Sequence, residues 1–371
     1  MNRFLKYKRI YILGLIPISL LLVFAAQKSS YFAEQIYARH IYKYISQVIS
    51  TITGFFPFSL AEIIVIAAPV AALTIIVRFI LRMFFEKNNR RERVIKAILN
   101  LMCAASILLF IFTILAGLNY YRYSFRVYSN LDIQSSTVEE LSSLTRSLVE
   151  KADELRATVT TTDDNGVFKL SMSNYSLARM AAKAYKALAK DYPVLGGSYG
   201  SPKPVLFSEL MSRTEITGIF FPFTMEANVN VAIPDYSIPD TMLHELAHLR
   251  GFMREDEANY LAYLAGMKSD SIDFQYSSTM AALITAGNAL YKQNPDLYFE
   301  VTGRLSEGVV RDLQDNSRYW KQFDDTVIST VSNHINNTYL KANNQKDGVQ
   351  SYGRMLDLLL AKYRKDGLKG D

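Results

Sequence analysis

The chain has 371 residues, half of them hydrophobic, a net charge of +6 and a single cysteine, Cys103. One cysteine excludes a disulfide framework and a cysteine-based metal site, so any metal must be held by His, Asp or Glu. The positive excess is mild and sits in short clusters beside apolar runs, which reads as membrane topology rather than nucleic-acid binding.

Three apolar runs come first, at about residues 10–26, 60–80 and 95–118. Each approaches the roughly 20 residues that a bilayer span requires. The first has the basic start of a signal peptide, but its apolar stretch is long and no A-x-A site stands out, so a retained anchor is expected. Arg3, Lys6, Lys8 and Arg9 precede it, and Arg82, Lys87, Arg90, Arg91 and Arg93 lie between spans two and three. The loop between spans one and two holds only Lys28, Arg39 and Lys43. That asymmetry puts the N-terminus in the cytoplasm and everything after Leu118 outside; Arg122 and Arg126 weaken it slightly. In the first outer loop, about 31–52, Ile36, Ile41, Ile45, Val48, Ile49 and Ile52 recur at helical spacing. This predicts an amphipathic helix, lying at the membrane interface or packed on the soluble part. Glu62, near the outer end of span two, is expected among the headgroups. The division is a membrane domain, 1–127, and an extracytoplasmic domain, 128–371.

The second part opens with a helix over 136–157, capped by Ser136 or Thr137. A loop at 160–166, a helix over 174–190 and a Gly/Pro hinge at 195–204 follow. "PVLFS", "TGIFFPF" and "ANVNVAI" are β-rich. In the last, Val229, Val231 and Ile233 alternate with polar or small residues, as in a half-buried strand. Such a strand pairs with an extended peptide if it lies at a sheet edge, and does not if it is interior. A helix capped by Asp240 or Thr241 comes next, then helices over 254–267, 277–293, 295–315, 318–336 and 349–365, with Trp320 in the core. The fold class is α+β and mostly helical: three N-terminal transmembrane helices, then a small β-sheet leading into an HExxH helix, the layout of a zincin-like domain.

The motif is "HELAH", 244–248. Positions four apart share a helix face, so His244 and His248 can offer nitrogens to one Zn2+ ion. Glu245 is then placed as general base and acid, taking a proton from a water in the fourth position and passing it to a leaving amine. A third ligand is needed. Glu255 would lie about 10 Å beyond His248 on an unbroken helix, too far to share an ion. It reaches the metal only if the helix breaks, and Gly251 is placed to break it. Asp256 and Glu257 read as first-turn acids, with Glu257 the second choice. Asn259, one turn after Glu255, is set to hydrogen-bond a ligand imidazole. For an oxyanion stabiliser, His334, Tyr352 and Arg354 are available, and Tyr352 is preferred.

The stretch from Gly218 to Gly266, with "TYLKANNQKDGVQSYGRMLDLLLA" near the C-terminus and "GFFPFSLAEI" before span two, resembles the uncharacterised bacterial membrane-protein family catalogued as domain of unknown function 3810. That family is taken by its motif to comprise zinc metallopeptidases; the resemblance supplies no substrate. A looser likeness joins "EDEAN", 255–259, to gluzincins of the HtpX and prenyl-protease type, whose Glu-x-x-Ala-Asp begins with a zinc ligand. Here Asn259 replaces the Asp, and the gap from His248 is shorter. In metzincins the third ligand falls where this chain has Arg254, which cannot bind zinc. The expectation is a multi-pass zinc metallopeptidase of the bacterial cell membrane. It would hydrolyse peptide or amide bonds of a peptide or protein substrate outside the cytoplasm, with no nucleic-acid partner. The alternative is a non-catalytic sensor or scaffold that keeps a zinc site.

Overall fold

The computed structural model describes residues 8–86, 88–324, 326–343 and 355–366. Helices α1 (Leu15–Lys28), α2 (Lys43–Gly54), α3 (Leu60–Phe85) and α4 (Arg90–Leu115) open the chain. Three stretches, Arg9–Lys28, Leu60–Phe85 and Arg90–Leu115, are long and apolar enough to cross a membrane. The third ends before the expected Leu118, because the chain turns at Ala116 and winds into a 3-10 turn over Gly117–Tyr121. α1 and α4 are neighbours, and the Ser106 hydroxyl donates to the Ile12 carbonyl at 2.9 Å. The apolar window of α3 is exposed along its whole length. That suits a hydrocarbon surrounding rather than water.

The loop between α1 and α3 is helical, a π-type segment over Phe32–Tyr42 running into α2. Of the two expected placements, the structure shows packing on the rest of the fold. Ala33, Glu34, Tyr37, Ala38, Tyr42, Ser46, Ser50 and Thr53 are buried against the rest of the fold. On the other side Ile41, Tyr44, Val48, Ile52 and Phe55 stay exposed in one stripe. Small residues and two tyrosines make the core contact, because they let the helix approach closely.

α5 (Arg126–Ser129), α6 (Val138–Thr158) and α7 (Asn174–Leu188) follow. Thr137 caps α6 in a capping box with Glu140. The sheet holds β1 (Lys203–Pro204), β2 (Gly218–Phe221) and β3 (Glu226–Val229), in the order β1-β3-β2. β2 and β3 form an antiparallel hairpin, and β1 lies parallel to β3. Two sequence expectations fail here. "PVLFS" is not a strand beyond Pro204. The Glu62 carboxylate accepts the N–H groups of Leu206 and Phe207 at 3.1 and 2.7 Å. The chain then enters α8 (Ser208–Arg213). β3 is also no half-exposed edge: every residue of it is buried and it is the central strand. Its polar residues meet the start of α3. Glu226 accepts the N–H groups of Leu60 and Ala61 at 3.2 and 2.8 Å, and the Ser59 hydroxyl donates to Asn228 at 2.6 Å. A carboxylate at a helix N-terminus is favoured by the helix dipole. One sheet face therefore rests on the first turn of α3, and the other packs on the next helix.

That helix is α9 (Ile238–Leu249), followed by α10 (Glu255–Met267), α11 (Ile272–Gln293), α12 (Pro295–Thr302), α13 (Glu307–Lys321), α14 (Val327–Ala342) and α15 (Met355–Asp366). The single helix expected over 295–315 is two, because the chain breaks at Gly303 and Ser306 restarts it. The helix expected over 318–336 is likewise shifted to α14. Ala258, Leu261, Ala262 and Ala265 of α10 are fully buried, and Trp320 packs at the core margin. One continuous core joins residues from Ala26 and Tyr37 to Leu359.

Candidate metal centre

α9 carries the motif and stops where Gly251 adopts φ +85°. Gly251 N–H donates to the His248 carbonyl at 2.8 Å, and Phe252 N–H donates to the Ala247 carbonyl at 3.1 Å. This pair of bonds is the Schellman termination, which glycine permits at no steric cost. Tyr42 reinforces it: its hydroxyl lies 3.3 and 3.2 Å from the His248 and Leu249 carbonyls. The chain reverses through Met253 and Arg254, and α10 begins at Glu255.

The reversal brings three donors together. His244 and His248 face each other with their Nε2 atoms 3.0 Å apart. Glu255 places one oxygen 3.2 Å from His244 Nε2 and the other 3.6 Å from His248 Nε2. A tetrahedral ion with bonds near 2.1 Å separates its donors by about 3.4 Å, so the three spacings bracket the required value. Both rings are held from behind. His248 Nδ1 lies 2.8 Å from the Phe252 carbonyl, and His244 Nδ1 lies 2.7 Å from Asn259 Oδ1. A carbonyl oxygen only accepts, so each Nδ1 carries the proton and each Nε2 turns a bare lone pair to the centre. The donor set therefore fits zinc. Glu257, the rival, is committed elsewhere: it is buried and accepts the Phe125 N–H at 2.9 Å and Arg254 at 3.1 Å. Among the described residues, His244, His248 and Glu255 are the one group of His, Cys, Asp and Glu that converges in this way.

The charges within the cluster oppose one another. Burial alone pulls both imidazoles down. At His244 the Glu255 carboxylate more than offsets this and lifts it to about 9. His248 is buried beside the charged His244 and falls to about 4, against the pull of Glu255. Two imidazoles at 3.0 Å cannot both be cationic at low cost.

Glu245 stands beside the cluster and outside it. It is buried, and its Oε2 atom makes no hydrogen bond. Burial, with the negative charge of Glu255, pushes it up to about 8, against the pull of His244 and the Phe220 N–H. The sheet sets this position. The Asn230 N–H donates to the Thr217 carbonyl at 2.9 Å. By antiparallel alternation Gly218 and Phe220 therefore turn their backbone groups to the outer edge of β2, toward α9. A Cβ on Gly218 would stand 2.5 Å from Glu245 Oε1 and 2.8 Å from Thr241 Cγ2. Gly218→Ala is expected to lose about 1–3 kcal/mol, as overpacking does; an unchanged unfolding midpoint would show that the strand yields freely.

Of the proposed oxyanion residues, His334 is exposed on α14, and Tyr352 and Arg354 lie outside the described residues. A different hydroxyl pair stands near Glu255. Tyr120, just after α4, and Tyr339, on α14, have their hydroxyls 3.0 Å apart. Burial above all, then the neighbouring Tyr339 and Glu255, raises the Tyr120 phenol. No local motif flags two tyrosines that far apart in sequence.

Fold and centre together define a class: a helix-rich chain with three helices suited to a membrane and a partly buried His-His-Glu cluster beside a small sheet. The chain belongs to the family described as Protein of unknown function (DUF3810), whose model matches residues 37–360. No curated protein and no solved structure matches it.

Proposed function

We propose that this chain is a membrane-anchored, zinc-dependent peptidase, with His244, His248 and Glu255 as ligands and Glu245 as general base and acid. The observation that carries this reading is the pairing of three matched donors with a buried carboxylate whose Oε2 atom makes no hydrogen bond. Zinc, when bound, supplies a Lewis acid that acidifies a water and polarises a carbonyl. The residues do the rest. Asn259 and the Phe252 carbonyl fix the two rings. Glu245 Oε2 takes a proton from the attacking water and returns it to the departing amine. The outer edge of β2, beside Glu245, offers backbone groups to an extended substrate; the interior β3 does not. A purely structural zinc would call for a fourth protein donor, and none joins the three among the described residues. The reading predicts about one zinc per chain in the full-length protein purified without added metal, and cleavage of unstructured peptides that stops on chelation. A protein free of zinc, and unable to take it up, would exclude the reading.

The membrane placement is multi-pass with the centre outside the cytoplasm, supported by the basic clusters before α1 and between α3 and α4. The apolar stripe of α2 runs into the start of α3, and no acidic residue lies between Glu34 and Glu62. α14 carries a second stripe, Ile328, Val331, Ile335 and Tyr339, all exposed. Its Tyr339 ring packs edge-on against Phe112 near the end of α4. Nitroxide labels at Val48 and Ile335, in a Cys103→Ser background in nanodiscs, are expected to be reached by oxygen and shielded from a water-soluble nickel chelate. A label at Phe299, exposed on the far layer, should show the reverse. Equal chelate access at all three would refute the lipid contact.

A further inference from the structure

A cavity of about 310 Å³ lies on the opposite side of the α9–α10 turn, bordered by Arg39, Lys43, Arg122, Arg250, Tyr128 and Tyr199. Four cationic groups meet there. Glu34 serves two of them, accepting from Arg122 Nε at 2.8 Å and from Arg39 Nε at 3.2 Å. Lys43 and Arg250 form no ion pair among the described residues. Arg250 is buried, and its side chain donates to neutral groups, the Leu195 and Leu246 carbonyls at 3.1 and 2.9 Å. The rings of Tyr185 and Tyr199 lie 4.0 and 4.6 Å from its guanidinium carbon. A buried charge without a counter-charge is costly, and a planar guanidinium held between two rings is pre-organised for an oxyanion. Burial, and then the like charges of Arg39 and Arg122, pull the Lys43 ammonium below its ordinary range. The cavity volume sits at the lower end of the small-ligand range.

We propose that this cavity binds a phosphate group, carried by a lipid headgroup or by a free phosphate compound. The excess of positive charge selects an anion, and four cationic side chains around one cavity select a group with several acceptor oxygens. Lys43 stands at the start of α2, whose outer face bears the exposed apolar stripe, so a headgroup has a short route to it. Arg250 is the last capping residue of α9, and Arg122 Nη1 donates to the Arg250 carbonyl at 3.2 Å. A bound phosphate would therefore bear on the turn that carries Glu255 back to the histidines. The proposal stands independently of the zinc reading, because its readouts require neither metal nor cleavage.

The test uses the full-length protein in non-ionic detergent, titrated calorimetrically with inorganic phosphate at constant ionic strength, and the same protein in phosphatidylglycerol or phosphatidylcholine nanodiscs. The comparison variant carries Arg39→Gln with Lys43→Gln, two partly exposed positions whose replacement leaves the core intact; circular dichroism checks its fold. Saturable binding of one phosphate per chain, weakened at least tenfold in the variant, supports the site and a free phosphate source. Thermal protection by phosphatidylglycerol nanodiscs alone, lost in the variant, supports the headgroup source. Failure of both ligands to outdo chloride or phosphatidylcholine, or equal binding by variant and wild type, overturns the proposal.

Discussion

Glu245→Gln is expected to keep its zinc and lose cleavage by about 10²–10⁴-fold, the usual contribution of a positioned general base. The amide preserves the size of a side chain packed against Gly218, so the fold has no reason to change. Glu255→Gln should do something different. It weakens one of three donors, and zinc affinity should fall by more than the 10–100-fold seen when only an outer hydrogen-bond partner is lost. Glu257→Gln gives the third outcome: zinc retained and stability reduced, because that carboxylate holds the Phe125 N–H and Arg254. Metal analysis beside turnover separates the three. A Glu245→Gln protein that cleaves at the wild-type rate removes the assignment of Glu245 as general base, whereas wild-type protein that holds zinc and cleaves nothing leaves the sensor or scaffold alternative. A Glu255→Gln protein with unaltered zinc affinity removes the ligand assignment.

The parts of the centre that lie close together in sequence were legible from it. His244 and His248 follow from helical spacing, and the geometric limit on Glu255 follows from helical rise. Together these require a break between residues 248 and 255, and Gly251 is where it occurs. The sheet was harder to read. Alternation in "ANVNVAI" is real, but its polar residues face the first turn of α3 instead of water, so the pattern suggested an exposed strand where a central one exists. A period of two reports a difference between faces; it does not say what covers the polar face. The Tyr120–Tyr339 pair and the Glu34–Arg122 pair had no local signal, because each joins elements that meet only when the chain has folded. The isoleucines of the 31–52 stretch divide between two faces: Ile45 and Ile49 pack against the core beside buried Ala, Ser and Tyr residues, whereas Ile36, Ile41 and Ile52 stay exposed.

Glu34→Gln is expected to cost about 3–5 kcal/mol, the penalty for leaving a buried charge without its partner. Glu34 is fully buried and accepts two bonds from Arg122, at 2.8 and 3.0 Å. Arg122 in turn stacks 4.1 Å from the Phe252 ring centre and holds the Arg250 carbonyl. The pair thus ties the segment between α1 and α3 to the α9–α10 turn. Its pH dependence has a definite sign. Burial pushes the Glu34 carboxyl up, but the charge and hydrogen bonds of Arg122, with help from Tyr128 and Arg39, outweigh it and hold the group below its ordinary value. A depressed carboxyl contributes stability that is complete above the unfolded value, about 4.3, and is lost as pH falls through the folded one. Denaturation of wild type and variant should therefore show a constant gap above about pH 5 that narrows below about pH 4. A gap that stays the same down to pH 3 would mean that shape, and not charge, is what Glu34 supplies. The variant also removes the carboxylate that serves two of the four cations of the neighbouring cavity, Arg39 and Arg122. Phosphate should then bind more tightly and restore part of the lost stability by mass action, a rescue that a purely steric defect would not show.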